Sequence, residues 1–237
     1  MSRWLPYVAT ALLSVVATAA VTTIWIDRQS DGGDAVRAYL LEHPEVIPEA
    51  LDRLRLKQAA TQIAANRQQL VTPFGGAWIG AEQPDVTLVQ FFDYACGFCR
   101  ASLADIERLV AEDPKLRVVF RELPILSPDS EQAARASLAA AEQGKFPRFH
   151  TALYAAGPPG PDSIAAAARA AGLDPGRMAA TAASPRADQE LQRNLDLARA
   201  LGVNGTPAWI VGDQALSGAV GYAALKKAIA AARGAES

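Results

Sequence analysis

The side chains best suited to chemistry in this chain are two cysteines separated by two residues, Cys96-Gly97-Phe98-Cys99. A thiol pair at this spacing opens and closes as a disulfide, and it exchanges electrons with other thiols using no metal and no organic cofactor. Other uses of the spacing need residues that are missing. A zinc ribbon needs a second pair, and haem attachment needs a histidine directly after the second cysteine, where Arg100 stands. A purely structural bridge across two residues would close too small a loop to contribute much entropy. His43 precedes a proline at a helix break, and His150 lies among Phe146, Phe149 and Tyr154. Both read as packed or surface histidines, and no metal site is expected.

The elements around the pair decide what it can do. Val86 to Phe92, VTLVQFF, is a nearly continuous apolar run, as in a strand covered on both faces. The cysteines follow at once. From Ser102 to Val110, apolar residues at Leu103, Ile106, Leu109 and Val110 keep helical spacing, and Pro114 stops the helix. Leu116 to Phe120 is a second apolar run, so strand, helix and strand form a right-handed unit with parallel strands. Cys96 therefore sits where a strand ends and a helix begins, over free amides that favour its thiolate. This predicts an exposed nucleophile at Cys96 and an inward-facing resolving thiol at Cys99.

Ser130 to Leu201 is alanine-rich and broken at Gly144, the Gly157-Pro158-Pro159-Gly160 turn, Gly172 and Ser184-Pro185, which predicts an all-helical block at about 128–201. After Thr206-Pro207, Ala208 to Val211 and Gln214 to Ser217 flank Gly212-Asp213 as a hairpin, and Tyr222 to Ala232 reads as a last helix. The order is the thioredoxin topology, an α/β fold, carrying a helical insertion. This domain is expected over 71–237, after the turn-rich joint Val71 to Gly76.

Upstream, 34–70 reads as two helices broken at His43-Pro44, with Leu40, Ile47 and Leu54 seven apart. Such a segment either lies on its own domain or drives self-association. Residues 1–30 form a membrane anchor or a signal peptide: Leu5 to Ile26 has no charge and at about 1.5 Å per residue spans roughly 33 Å. Arg3 precedes it, and Asp27, Asp31 and Asp34 follow, so the body is exported, whether anchored by 5–26 or released by cleavage near Ala17-Thr18-Ala19. With 23 basic and 25 acidic residues in 237, the chain has no electrostatic footprint for nucleic acid.

The string FFDYACGFCR, followed by VNGTPAWIVG, resembles the thioredoxin-like periplasmic disulfide oxidoreductases of the DsbA group. The upstream RAYLLEHPEVIPEALDRL and the insertion string GKFPRFHTALY are similar to its branch of suppressor-of-copper-sensitivity proteins. The resemblance implies an enzyme that forms or rearranges disulfides in exported proteins with cysteines. It also implies a cis bond before Pro207, and Gly97, Phe98, Thr206 and Pro207 beside the substrate. A membrane redox partner and a homo-oligomer are implied as partners. Members of the group usually carry a buried acid six residues before the first cysteine, where this chain has Gln90. Gln90 cannot titrate, so either water or Asp93 substitutes as proton relay or proton transfer at Cys99 is slower. If Asp93 only caps its loop, water or the slower transfer is left. The alternative function is Cu(I) binding by the reduced pair Cys96 and Cys99.

Overall fold

The computed structural model describes residues 33–235 together with Thr18. Apart from Thr18, the expected membrane segment Leu5 to Ile26 lies outside the described residues. Among the described residues no helix is long and apolar enough to cross a membrane.

The chain divides into two compact units, 1–55 and 56–237. In the first, residues 33–42 are helical (α1) and His43 leaves the helix because Pro44 follows it. Helix α2, Val46–Val71, then starts with Pro48 in its first turn, where a missing N–H costs nothing. Val36, Tyr39, Leu41, Ile47, Leu51 and Leu54 of this unit are all exposed. The second unit starts at Leu56, upstream of the turn-rich joint, because Ile63 and Leu70 of α2 are buried in one of its two core clusters.

Its sheet has five strands in the order β1-β3-β2-β4-β5. They are β1 Trp78–Gly80, β2 Val86–Phe92, β3 Leu116–Glu122, β4 Ala208–Val211 and β5 Gln214–Ser217. β2 and β3 are parallel in the register Phe92 opposite Glu122, and β1, β4 and β5 join antiparallel. β1 carries no periodic signal, and it is held by backbone proximity instead. A Cβ on Gly80, at φ 96°, would come within 2.3 Å of the Leu116 carbonyl oxygen, so only glycine lets the two strands approach there.

β2 is covered on both faces, as its apolar run requires. Leu88 and Phe92 join Val118 and Phe120 of β3 in the larger cluster, beneath α3 Gly97–Ala101, α4 Leu103–Glu112, α5 Ser130–Glu142, α6 Phe146–Ala155, α7 Pro161–Ala171 and, after α8 Pro175–Ala182 and α9 Pro185–Ala200, the last helix α10 Gly221–Ala235. Val89 and Phe91 face the smaller cluster with Ile63, Leu70 and Leu197. Each such side chain contributes about 1.5–3 kcal/mol when fully buried, so the strand leading to the thiol pair is held from both faces. The helix expected from Ser102 to Val110 is α4, with Ser102 as its N-cap, and a separate single turn, α3, precedes it at the thiol pair. The Ser102 N–H bonds both Phe98 and Cys99 carbonyls and its hydroxyl donates to Phe98 O at 2.9 Å, which ends α3 after one turn.

On the opposite face β3 carries a buried guanidinium. Arg121 donates to Glu190 Oε1 at 2.7 Å and Asn194 Oδ1 at 3.1 Å, both on α9. It also donates to the carbonyls of Gln69, Leu70 and Thr72. The last carbonyls of α2, which have no partner inside the helix, thus end on a side chain of the sheet.

Candidate active site

β2 delivers the thiol pair at the C-terminal edge of the sheet. Cys96 is the N-cap of α3, with extended backbone at φ −82° and ψ 110°. Its Sγ accepts the Cys99 N–H at 3.3 Å and donates its own proton to the Thr206 carbonyl at 3.2 Å. The Thr206–Pro207 peptide is cis. Both thiols are free. Cys96 is 5% exposed and Cys99 1%, so the exposed nucleophile expected from sequence is buried, because the Thr206 loop lies against its sulfur. Cys96 is still the outer of the two. Burial, and then the bond to Cys96, push the Cys99 thiol well above its ordinary value.

Around the pair, Gly97 is exposed, with open space where a Cβ would stand, and Phe98 is 68% exposed. Pro207 is buried behind the Thr206 carbonyl.

Beneath the pair the polar groups divide into satisfied and unsatisfied ones. Gln90 is buried on β2, and neither its amide nitrogen nor its oxygen has a hydrogen-bond partner. The Asp93 carboxylate accepts four bonds. Oδ1 takes Ala95 N–H at 2.8 Å and the Ser130 hydroxyl at 2.7 Å, and Oδ2 takes the N–H groups of Ile125 at 2.8 Å and Leu126 at 2.9 Å. Its backbone carbonyl accepts Cys96 N–H at 3.0 Å and the Tyr154 hydroxyl at 3.0 Å. Asp93 therefore ties the turn before Cys96 to the loop after β3, whose Ile125 and Leu126 side chains are exposed.

Residues 87–230 match the DSBA-like thioredoxin domain family. The chain belongs to that family. Residues 33–61 match the N-terminal domain of the copper resistance protein ScsC, so this DsbA-like chain is ScsC-related. A thioredoxin-like oxidoreductase from Silicibacter pomeroyi is 39% identical, with a TM-score of 0.66 over 71% of this chain and 98% of that one. A linker-deleted ScsC variant from Proteus mirabilis is 26% identical, with a TM-score of 0.72 over 88% of this chain and 96% of that one. The Na(+)/H(+) antiporter NhaA 3 of Salinispora tropica is 30% identical over 156 residues, which are 65% of this chain and 24% of the antiporter. This chain thus spans about a quarter of the length of the curated relatives it matches.

Two buried charges at the end of β3 carry no sequence signal, Glu122 on the face of the thiol pair and Arg121 on the opposite face. Glu122 ends β3, and Arg121 precedes it. At the end of an apolar run both read as solvated charges, yet both are buried.

Proposed function

We propose that this chain is a thiol-disulfide oxidoreductase that forms or rearranges disulfides in exported proteins. The observation that carries the reading is Cys96 Sγ at an N-cap, held between the Cys99 N–H and the Thr206 carbonyl. In oxidative turnover a client thiolate attacks Cys96 of the Cys96–Cys99 disulfide, and a second client thiol resolves the mixed disulfide. Thr206 and Pro207 present the client strand through the main chain, and Gly97 and Phe98 form its floor. Gly97 and Phe98 carry no charge to stabilise the reduced thiolate, which favours a weaker oxidant suited to isomerisation or to a reductive membrane partner. Asp93 acts as a clamp on its loop, since four donors already occupy its oxygens.

The periplasm is the compartment this reading requires, with 5–26 as anchor or cleaved leader. Self-association through the first unit is supported by the exposed Val36, Tyr39, Leu41, Ile47, Leu51 and Leu54. Light scattering of the body from residue 27 onward, with and without residues 27–55, tests it and leaves Ile63 and Leu70 in the core of the second unit; one monomeric mass for both forms would end it. Cu(I) binding would draw on the same two thiols. Among the described residues no group of three or more His, Cys, Asp or Glu side chains is placed to hold a metal, so copper would have to share Cys96 and Cys99 alone.

The deciding experiment equilibrates the chain with reduced and oxidised glutathione and follows refolding of two clients, one reduced and one with scrambled disulfides. A measurable potential and catalysed refolding lost in Cys96→Ser support the reading. A pair that does not exchange with glutathione overturns it.

A further inference from the structure

Behind the thiols lies a set of buried titratable groups that client exchange at Cys96 leaves unused. Glu122 stands opposite Phe92 in the β2–β3 register. Since side chains alternate along a strand, it shares the sheet face of Gln90 and Phe92, the face on which Cys96 and Cys99 pack. It is 3% exposed, and its Oε1 has no hydrogen-bond partner. Burial above all, with Asp93 and Glu190 adding repulsion, holds its carboxyl well above the usual carboxylate range, and a bond from Ser137 on α5 opposes this. The Tyr94 hydroxyl donates to Ser137 Oγ at 2.9 Å and lies 3.0 Å from Nδ1 of His150 on α6. His150 Nε2 has no partner either. The chain Glu122, Ser137, Tyr94, His150 thus ends at both sides in an unpartnered buried atom. Tyr154 on α6 borders acid and thiols alike, because charge on Cys99, Tyr94, Glu122 and Cys96 each acts on its hydroxyl.

The chemistry at Cys99 needs such a group. When a client thiolate bonds to Cys96 Sγ, the Cys96–Cys99 bond breaks and its electron pair leaves on Cys99 Sγ. A bare thiolate is costly at this buried position. Gln90 has no acidic proton, both Asp93 oxygens are engaged by donors, and His150, with burial holding it down to about 3, is a neutral imidazole at working pH. We propose that Glu122 is the proton partner of Cys99: its carboxyl protonates the Cys99 sulfur as a client opens the disulfide, and the resulting carboxylate takes that proton back when Cys99 attacks the mixed disulfide. In the return step the Cys96–Cys99 bond forms, the client leaves as thiolate, and the protein is restored with Glu122 protonated. Ser137, Tyr94 and His150 hold the carboxyl in place.

This inference rests on the thiol-disulfide reading, and one experiment separates the two. The oxidised full-length chain is mixed with glutathione, quenched in acid, and the Cys96–glutathione adduct is counted by mass across pH 5–10. In wild type the opening rate per glutathione thiolate declines at high pH as the Glu122 proton is lost. Glu122→Gln should open about 100-fold more slowly at neutral pH, the low end for general acid catalysis, and show no decline. Adding Gln90→Glu, which returns an acid to the same face of the neighbouring strand, should recover both rate and decline, and Glu122→Asp should recover part. Glu122→Gln with wild-type rate and pH profile overturns the assignment. So does a loss of rate that neither Glu122→Asp nor Gln90→Glu recovers, which marks a packing role. If glutathione does not open the wild-type disulfide at all, so that mass shows neither adduct nor dithiol, the thiol-disulfide reading falls and this assignment with it.

Discussion

Replacing Asp93 by asparagine separates a clamp from a proton relay. The carboxylate accepts two bonds on each oxygen, from Ala95 N–H and the Ser130 hydroxyl on one side and from the Ile125 and Leu126 N–H groups on the other. Asparagine keeps one acceptor oxygen, so its NH2 group must face one of these pairs, donor against donor. Two charge-assisted bonds are lost in a buried setting, each worth about 1.5–3 kcal/mol, so Asp93→Asn should destabilise the second unit by about 3–6 kcal/mol. That is a large share of the roughly 5–15 kcal/mol available to a folded domain. Urea unfolding followed by circular dichroism measures it, with the midpoint falling and the slope unchanged. Exchange with glutathione at 10 °C should slow only modestly, because Ile125 and Leu126 lie beside the thiols and not on them. A loss below about 1 kcal/mol, the net value of an ordinary hydrogen bond, together with a collapse of exchange, would refute the clamp and favour the relay.

Cys99→Ser should accumulate mixed disulfides through Cys96 on non-reducing gels, and trapping that instead needs a free Cys99 in Cys96→Ser would reverse their roles. Phe98→His places a partial positive charge beside Cys96 at an exposed position, so the disulfide should become more oxidising against glutathione. Arg121→Met leaves Glu190 buried with only Arg193, at 2.6 Å, as its ionic partner, and should cost about 3–5 kcal/mol by chemical denaturation. Burial lowers His150 to about 3, so the unfolded chain binds this proton first and the stability from neutral His150 is lost as pH falls from about 6.5 toward 3. The stability advantage of wild type over His150→Phe should shrink across that window, by up to about 1.4 kcal/mol per pH unit.

The parts of this fold legible in the sequence are those in which apolar spacing and chemistry coincide. VTLVQFF is a central strand because both its faces are buried, and the thiol pair follows it at a helix start. The parallel partner at Leu116 and the hairpin across Gly212-Asp213 follow from the same signals. At Gly212, φ is 55°, the conformation a tight hairpin needs. β1 is not legible, because Trp78–Gly80 is too short for alternation and its place depends on Gly80 approaching Leu116. Arg121 and Glu122 are not legible for a different reason. The partners of Arg121 lie 69 and 73 residues downstream, and no local pattern distinguishes a charge that finds a distant partner from one that stays in water. The burial of Cys96 is likewise set from a distance, by a carbonyl 110 residues away.

The Arg121 contacts give the molecule a path for force. A pull on the chain upstream of 56, from a tether or a bound partner, runs down α2 and arrives at the carbonyls of Gln69, Leu70 and Thr72, where the guanidinium of β3 receives it. β3 lies between β1 and β2, paired on both sides, so the load meets several backbone bonds in shear and does not peel an edge strand. A load applied upstream of 56 would therefore enter the sheet at β3, whereas Cys96 and Thr206 stand just after β2 and just before β4, away from that point of entry.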